Sequence, residues 1–206
     1  MTGPHGAARG MAFAQGERPS SWVVRWSHLV APGGDVLDIA AGSGRHARWF
    51  AERGHRVAAI DRAESALAAL SGIDGVEAIS ADLEDGSAWP LAEARRFAAV
   101  VVTNYLHRPL LPRFSLLLAP GGVLLYETFA RGNETVGKPS NPAFLLAPGE
   151  LLAAVHGRLV VVAYEDGYLA APRPAFVQRI CAVMPAQTRA EGTETGAAPR
   201  RYDLAG

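Results

Sequence analysis

The feature that most constrains the fold is a regular alternation of short apolar runs with segments of helical character between residues 35 and 128. The apolar runs have the length of buried strands, and the segments between them carry apolar residues at helical spacing. Such alternation predicts a parallel sheet covered by helices on both faces, with right-handed crossovers. The five predicted strands are 35–41, 57–61, 76–80, 97–103 and 123–128.

The pattern changes after the fifth predicted strand. A loop of about 17 residues, 130–146, precedes a predicted helix at 149–156. Two β-like runs, 158–164 and 175–184, then follow without a helix between them, so we expect them to pair antiparallel at one edge of the sheet. The sequence therefore predicts an α/β fold: a Rossmann-like three-layer sandwich with a seven-stranded, mostly parallel sheet and an antiparallel C-terminal strand.

One domain is expected, over residues 19–185. The flanking segments 1–18 and 186–206 are rich in Gly, Ala, Thr, Pro and charged residues, and we predict that both are flexible. A helix is predicted near residue 21, because Trp22 and Trp26 recur at helical spacing, and this stripe is expected to face the core.

Composition excludes several classes of protein. The chain has 20 basic and 20 acidic side chains, and this balance does not support nucleic acid as a partner. A single cysteine, Cys181, and six scattered histidines do not form a metal-ligand pattern, so no metal is expected. No apolar stretch reaches the ~18 residues of a membrane span, and residues 1–10 lack an apolar signal core. The sequence thus predicts a cytoplasmic protein without membrane contact and does not specify an oligomeric state.

A glycine-rich segment follows the first predicted strand, where ligands of open parallel sheets bind. Its sequence is Asp38-Ile39-Ala40-Ala41-Gly42-Ser43-Gly44, and Arg45 comes next. The glycines allow the backbone to approach a ligand closely and open a helix whose free N–H groups favour anionic groups. Residues 42–47 also satisfy G-x-G-x-x-A, a pattern that alone fits several nucleotide cofactors.

Acidic residues at the next two strand ends narrow the choice of cofactor. Asp61 stands nineteen residues after Gly42, where its carboxylate can accept both hydroxyls of a ribose. The pair Asp82-Leu83 favours adenine, because the carboxylate can accept from the exocyclic amine while the next backbone N–H donates to a ring nitrogen. Asp38 adds negative charge before the glycines and suits a cationic sulfonium better than a pyrophosphate.

Taken in order, these motifs resemble those of the class I S-adenosylmethionine-dependent methyltransferases, nearest to the tellurite-resistance-type branch. The resemblance is carried by Val36–Arg45, Ile60-Asp61, Ala81–Leu83, Val100–Asn104 and Pro120–Leu124, and for the branch by residues 44–54. The family loop is usually D-x-G-x-G-x-G, and Ala40 stands in place of its first glycine. The resemblance implies S-adenosylmethionine as cofactor and S-adenosylhomocysteine as product. It implies a cofactor site made of Asp38, Ala40, Gly42, Gly44, Arg45, Asp61, Arg62, Asp82, Leu83 and Asn104.

Candidates for contact with the methyl acceptor follow the fourth and fifth strands. Asn104 and Tyr105 end the fourth strand, and His107 is a candidate general base because a free histidine titrates near neutrality; the alternative is that His107 caps the next turn. Glu127 is a candidate acceptor or base contact, because burying an unpaired carboxylate there would be costly. Tyr105, His107 and Glu127 are thus the candidate catalytic residues. The loop 131–146 is predicted to be mobile in the free protein and ordered when both ligands are bound.

The function expected from these residues is in-line methyl transfer from S-adenosylmethionine to a small or medium-sized acceptor molecule. Two alternatives stay open. One is a non-catalytic module that binds the same cofactor, because the displacement needs no diagnostic nucleophile. The other is an NAD(P)-dependent oxidoreductase, which Asp38, Asp82 and the lack of a Tyr-x-x-x-Lys pair disfavour.

Overall fold

The computed structural model describes residues 18–186 and 201–205. Its centre is a seven-stranded sheet in the order β3-β2-β1-β4-β5-β7-β6. Strands β1 to β5 are parallel to one another, whereas β7 runs antiparallel to both β5 and β6. The strands are β1 Val36–Ile39, β2 Val57–Asp61, β3 Val76–Ser80, β4 Phe97–Thr103, β5 Leu118–Phe129, β6 Val160–Leu169 and β7 Ala175–Val183.

Helices cover both faces of this sheet, which confirms the predicted three-layer sandwich. One apolar cluster joins one face of the sheet to α1, α2 and α3, and the other joins the opposite face to α4 and α5. The tryptophans of α1 lie in the first cluster, with Trp22 2% and Trp26 1% exposed, so the predicted core-facing stripe is confirmed. The helices are α1 Ser21–Trp26, α2 Arg45–Ala51, α3 Glu64–Leu67, α4 Leu111–Leu117 and α5 Glu150–Val155.

Two strands are longer than the sequence predicts. β5 begins at Leu118 and not at Val123, because Gly121 and Gly122 exchange backbone hydrogen bonds with Met184 and keep the chain extended through the predicted turn. β6 continues to Leu169, through Gly167, because it pairs with β7 as far as Ala175. In both cases, cross-strand pairing overrides the local preference of glycine and proline for turns.

The prediction of flexible ends at 1–18 and 186–206 falls almost entirely outside the described residues. Residues 201–205 lie beside the first helix: the ring of His28 is 3.1 Å from the carbonyl oxygen of Asp203, and Arg25 donates to the carbonyl of Leu204 at 3.4 Å. Within residues 18–186 and 201–205, no helix combines the length and apolar character that crossing a bilayer requires.

Candidate functional site

A cleft opens where the strand order reverses. The chain builds β1, β2 and β3 outward in one direction and then returns to the other side of β1 with β4, so the switch point lies between β1 and β4. Open α/β sheets bind ligands at this place, beyond the carboxyl ends of the strands. The cleft has a volume of about 270 Å³ and is lined by Ala40, Ile60, Asp61, Arg62, Ala81, Asp82, Leu83, Glu84, Asn104 and Tyr105.

The glycine-rich loop has the backbone that its sequence requires. Gly42 and Gly44 have φ angles of 56° and 77°, and a side chain at Gly44 would place its Cβ 2.3 Å from Leu70 Cδ2. Ala40 also adopts a left-handed conformation, with φ 54°, at the position where the resembling family usually has glycine. A non-glycine residue in this region carries strain, and such strain gathers at ligand sites.

Asp38 stabilises the end of this loop and the start of α2. Its carboxylate accepts a hydrogen bond of 3.1 Å from the Ala47 N–H in the first turn of α2, and the residue is 1% exposed. Gly44, the N-cap residue, cannot supply a side-chain cap, so Asp38 takes that role from the strand. Burial raises the pKa of Asp38 to about 7, although the Ala47 N–H and Arg45 oppose the shift. A direct contact of Asp38 with the cofactor stays a prediction.

Replacing Asp38 by asparagine should change how stability depends on pH. The free energy of unfolding of Asp38→Asn, compared with that of the native chain, should increase as the pH rises from about 4 to 8. The folded pKa of about 7 lies above the value of 3.8 for an unperturbed aspartate, so unfolding releases a proton in this range and the native chain loses stability as the pH rises. Asparagine does not titrate. Urea unfolding at pH 5 and pH 8 checks this, and a pH-independent difference between the two proteins would contradict it.

Asp61 joins the ends of β1 and β2. One carboxylate oxygen accepts from the Gly42 N–H at 2.7 Å and the other from the Ala63 N–H at 2.8 Å. A carboxylate offers about four acceptor positions, so each oxygen keeps one for a ligand hydroxyl. Asp61 thus fixes the glycine-rich loop and still presents two acceptors to the cleft.

Asp82 and Leu83 lie on the neighbouring wall. Asp82 Oδ1 accepts from the Glu84 N–H at 2.9 Å, while Oδ2 is 3.9 Å from Arg62 Nη1. Within the described part of the chain, the Leu83 N–H has no hydrogen-bond partner. The cleft thus holds one acceptor and one donor side by side, in the arrangement that the sequence predicts for adenine.

His107 lies beside Glu84 and does not line the cleft. Its Nδ1 is 4.0 Å from Glu84 Oε2, and its side chain makes no capping hydrogen bond to the turn that begins at Arg108. His107 thus holds the N-cap position of this turn, where its carbonyl accepts from the Leu110 N–H at 3.0 Å, while its side chain does not cap. Its neighbour Glu84 lines the cleft, so His107 lies behind a residue of the cleft wall.

Glu127 belongs to a buried ionic cluster on β5 and β7. Arg179 Nε lies 2.5 Å from Glu127 Oε2, and Ser20 Oγ donates to Glu127 Oε1 at 2.9 Å. The side chains of Arg179 and Glu127 are only 13% and 11% exposed. Oε1 thus accepts a hydrogen bond and Oε2 faces the guanidinium in an ion pair, so a direct counter-charge offsets the cost of burying this carboxylate.

Arg45 stands between this cluster and the glycine-rich loop. Its Nη2 donates to Thr103 Oγ1 at 3.3 Å, at the end of β4. Burial lowers the pKa of Arg45, while the charges of Glu127 and Asp38 act in the opposite direction. Most of the guanidinium donors remain available for an anionic group.

The loop 130–146 is attached to the body of the protein at several points. Its ends pair through a bridge between Ala130 and Leu146, and Asn133 is 1% exposed. Arg108 donates to the carbonyl oxygens of Ala143 and Leu145 at 2.6 and 2.9 Å. The same guanidinium pairs with Glu150 at 2.7 Å. Whether this loop closes over ligands stays a prediction.

Replacing Arg108 by alanine should release the second half of the loop without unfolding the sheet. The change removes both donors to the loop carbonyls, so amide hydrogen exchange at residues 141–147 should rise, while the exchange of β4 and β5 stays unchanged. Arg108→Lys keeps one charge and should give an intermediate result. Unaltered exchange at 141–147 in Arg108→Ala would show that Arg108 does not hold the loop.

A comparison with protein families identifies the domain. Residues 36–122 match a family model described as a methyltransferase domain. Residues 36–122 thus resemble a methyltransferase domain. The matched region contains β1 to β4, the glycine-rich loop and every residue of the cleft, so the family predicted from the motifs is confirmed. No curated protein sequence matches the chain.

Solved structures of S-adenosylmethionine-dependent methyltransferases share the fold of this domain. TehB from Haemophilus influenzae superposes with a TM-score of 0.64 and 18% identity, over 79% of this chain and 61% of that protein. A SAM-dependent methyltransferase from Methanosarcina mazei superposes with a TM-score of 0.60 and 16% identity, over 82% of this chain and 100% of that protein. The glycopeptide N-methyltransferase MtfA complexed with sinefungin superposes with a TM-score of 0.58 and 22% identity, over 89% of this chain and 100% of that protein. The chain thus spans about three fifths of the length of the Haemophilus protein.

Some residues of the site were not identified from the amino-acid sequence. Glu84 was missed in the cleft, and Ser20, Thr103 and Arg179 were missed around Glu127 and Arg45. The one available signal was Arg179, a charged residue inside the apolar run of β7, which must find a counter-charge when the strand is buried.

Proposed function

We propose that this chain binds S-adenosylmethionine in the cleft and transfers its methyl group to a small-molecule acceptor beyond the carboxyl ends of β4 and β5. The main support for the proposal is that Asp61, Asp82 and the Leu83 N–H line one cleft. This cleft lies beside the glycine-rich loop, in which residues adopt left-handed backbone angles. The same cleft at about 270 Å³ is near the lower end of the size range of ligand pockets.

The donors and acceptors of the cleft fit the adenosine half of the cofactor. Asp61 keeps two acceptor positions for the ribose hydroxyls, and Asp82 can accept from the adenine amine next to the Leu83 donor. Ala40 and Ile60 supply apolar contact between these polar groups. This pattern supports an adenosine ligand more than it supports a pyrophosphate, which would need donors in place of the carboxylates.

The methionine half would lie along residues 40–45. Arg45 is the only arginine or lysine of that loop, and its unused donors suit a carboxylate. Asp38 fixes the start of α2 and so holds the backbone N–H groups of the loop in place.

When bound, S-adenosylmethionine supplies an activated methyl group for an in-line displacement, so the protein must orient the acceptor and exclude water. The three candidate catalytic residues are poorly suited to remove a proton. Glu127 accepts a hydrogen bond from Ser20 and forms an ion pair with Arg179, and His107 lies beside Glu84 without lining the cleft. Burial raises the pKa of Tyr105 well above its ordinary value. We therefore infer that the acceptor brings a nucleophile that needs no enzyme base.

A panel of acceptors tests this function by the release of S-adenosylhomocysteine. Thiols and weakly basic amines, which offer a thiolate or a free lone pair near neutral pH, should turn over faster than alcohols of similar size. The rate should follow the ionisation of the acceptor as the pH changes. Asp82→Ala serves as the low-affinity control. Turnover of alcohols alone, with a pH profile independent of the acceptor, would contradict the proposal.

A further inference from the structure

Ser20 connects three separate elements of the structure. As the N-cap residue of α1, it accepts a hydrogen bond of 3.1 Å at its Oγ from the Trp22 N–H. The same Oγ donates to Glu127 Oε1 at 2.9 Å, near the carboxyl end of β5. The Ser20 N–H donates to Nε2 of His46 on α2 at 3.1 Å. One residue thus joins α1 to β5 and to the helix that follows the glycine-rich loop.

His46 holds the backbone of Ser20 from the α2 side. The residue is 1% exposed, and burial, followed by the charge of Arg45, lowers the pKa of its ring to about 3. The imidazole is therefore neutral at neutral pH, so Nε2 can accept from the Ser20 N–H while the other ring nitrogen carries the proton. The hydroxyl of Ser20 is thus held in a defined place next to Glu127.

The Glu127 carboxylate acts on two arginines, of which one is its ion-pair partner. Arg179 Nε pairs with Glu127 Oε2 at 2.5 Å. Burial lowers the pKa of Arg45, and the charge of Glu127 is the largest effect that opposes this shift. Within residues 18–186 and 201–205, the Arg45 guanidinium donates to Thr103 Oγ1 at 3.3 Å and forms no ion pair with a carboxylate. Arg45 thus stays open to an anionic ligand, although Glu127 is near enough for its charge to act on it.

The hydroxyl of Ser20 fixes the direction in which this carboxylate turns. The Glu127 side chain is only 11% exposed, and a buried carboxylate oxygen without a donor is costly. Without the hydroxyl, Oε1 would need another donor, and the guanidinium of Arg45 has several that are unused. A Glu127 carboxylate that turned to Arg45 would take the place of an anionic ligand.

Resting on the function proposed above, we propose that Ser20 is a positioning residue that keeps Arg45 free for the ligand. By holding Glu127 Oε1, its hydroxyl prevents an ion pair between Glu127 and Arg45. The guanidinium of Arg45 is then free to bind the carboxylate of the methionine half of the cofactor. Ser20 acts through Glu127 and not by contact with the cofactor.

The test compares two ligands by isothermal titration calorimetry on the full chain and on Ser20→Ala. S-adenosylhomocysteine carries the amino-acid carboxylate, and 5′-methylthioadenosine has the same adenosine and sulfur without it. Ser20→Ala should weaken the binding of S-adenosylhomocysteine about tenfold, because a carboxylate of the protein then competes for a charged hydrogen-bond donor. The binding of 5′-methylthioadenosine should stay unchanged.

Two further variants separate the hydroxyl from the charge. Ser20→Thr keeps the hydroxyl and should bind S-adenosylhomocysteine like the native chain. Adding Glu127→Gln to Ser20→Ala should restore much of the lost affinity, because the neutral amide cannot form an ion pair with Arg45. Circular dichroism checks that each variant is folded. A folded double variant without any recovery would overturn the inference, since Glu127 would not be the competitor.

Ser27→Ala is the matched control, because it removes a serine hydroxyl at the other end of α1, where Ser27 Oγ donates to the Val24 carbonyl at 2.8 Å. It should bind both ligands like the native chain. Unchanged affinity for S-adenosylhomocysteine in Ser20→Ala would overturn the inference, and so would an equal loss for both ligands or the same loss in Ser27→Ala. If the native chain binds 5′-methylthioadenosine as tightly as S-adenosylhomocysteine, Arg45 does not hold the carboxylate and the inference alone fails. If it binds neither ligand, the proposed function fails as well.

Discussion

Replacing Arg179 by leucine should lower the free energy of unfolding by about 3–5 kcal/mol, since this is the usual cost of leaving one partner of a buried ion pair without its counter-charge. Glu127 would keep its hydrogen bond from Ser20 but would lose the guanidinium 2.5 Å away. Urea unfolding, followed by circular dichroism, measures the effect.

Two comparisons show whether the loss comes from the stranded charge. The double variant Arg179→Met with Glu127→Gln removes both charges at similar volume and should recover much of the stability. Arg56→Leu breaks an ion pair of 2.8 Å with Asp35 in which the arginine side chain is 77% exposed, so it should cost less than about 1 kcal/mol. A loss in Arg179→Leu no larger than that in Arg56→Leu would contradict the role of the buried pair.

Asp82→Ala should weaken the binding of S-adenosylhomocysteine about 10- to 100-fold, because a carboxylate that accepts from a ligand contributes about 1.5–3 kcal/mol. Asp61→Ala should have at least as large an effect. It removes the ribose acceptors and also frees the Gly42 N–H, which Asp61 holds at 2.7 Å. Isothermal titration calorimetry measures both variants.

Asp85→Ala is the matched control for Asp82→Ala. Asp85 makes the same kind of turn, accepting from the Ser87 N–H at 2.8 Å, but it does not line the cleft. It should therefore bind the ligand with native affinity. If Asp82→Ala and Asp85→Ala have the same affinity, Asp82 does not contact the cofactor.

The layered fold could be predicted because each buried strand of a parallel sheet must be followed by a helix, and this alternation is visible in the chain. The antiparallel edge was predicted for a similar reason, since 158–164 and 175–184 have no helix between them. The extents of β5 and β6 were not predictable. They depend on hydrogen bonds from Met184 and on the pairing with β7, which are contacts between segments distant in the sequence.

The cofactor side of the site was easier to predict than the acceptor side. Asp61 and Asp82 end successive parallel strands, so the topology alone brings them to one cleft. The partner of Glu127 depends on the register of an antiparallel pair, which places Arg179 directly opposite it. A register cannot be derived from local sequence, and for this reason the sequence suggested an acceptor or base contact for Glu127 and not Arg179 as its partner.

The position of Tyr105 depends on a single backbone angle. Asn104 adopts a left-handed conformation that propensity does not specify, and this turn sets Tyr105 beside Asp82 and Glu84. The sequence correctly placed Tyr105 at a strand end but could not show which wall of the cleft it would join.

The most direct test of the central claim is calorimetric titration of the full chain with S-adenosylhomocysteine and, separately, with NAD⁺. The account predicts one S-adenosylhomocysteine site per chain, weakened in Asp82→Ala and unchanged in Asp85→Ala, with no comparable binding of NAD⁺. Binding of NAD⁺ in preference to S-adenosylhomocysteine, or S-adenosylhomocysteine binding that is insensitive to both Asp61→Ala and Asp82→Ala, would contradict it.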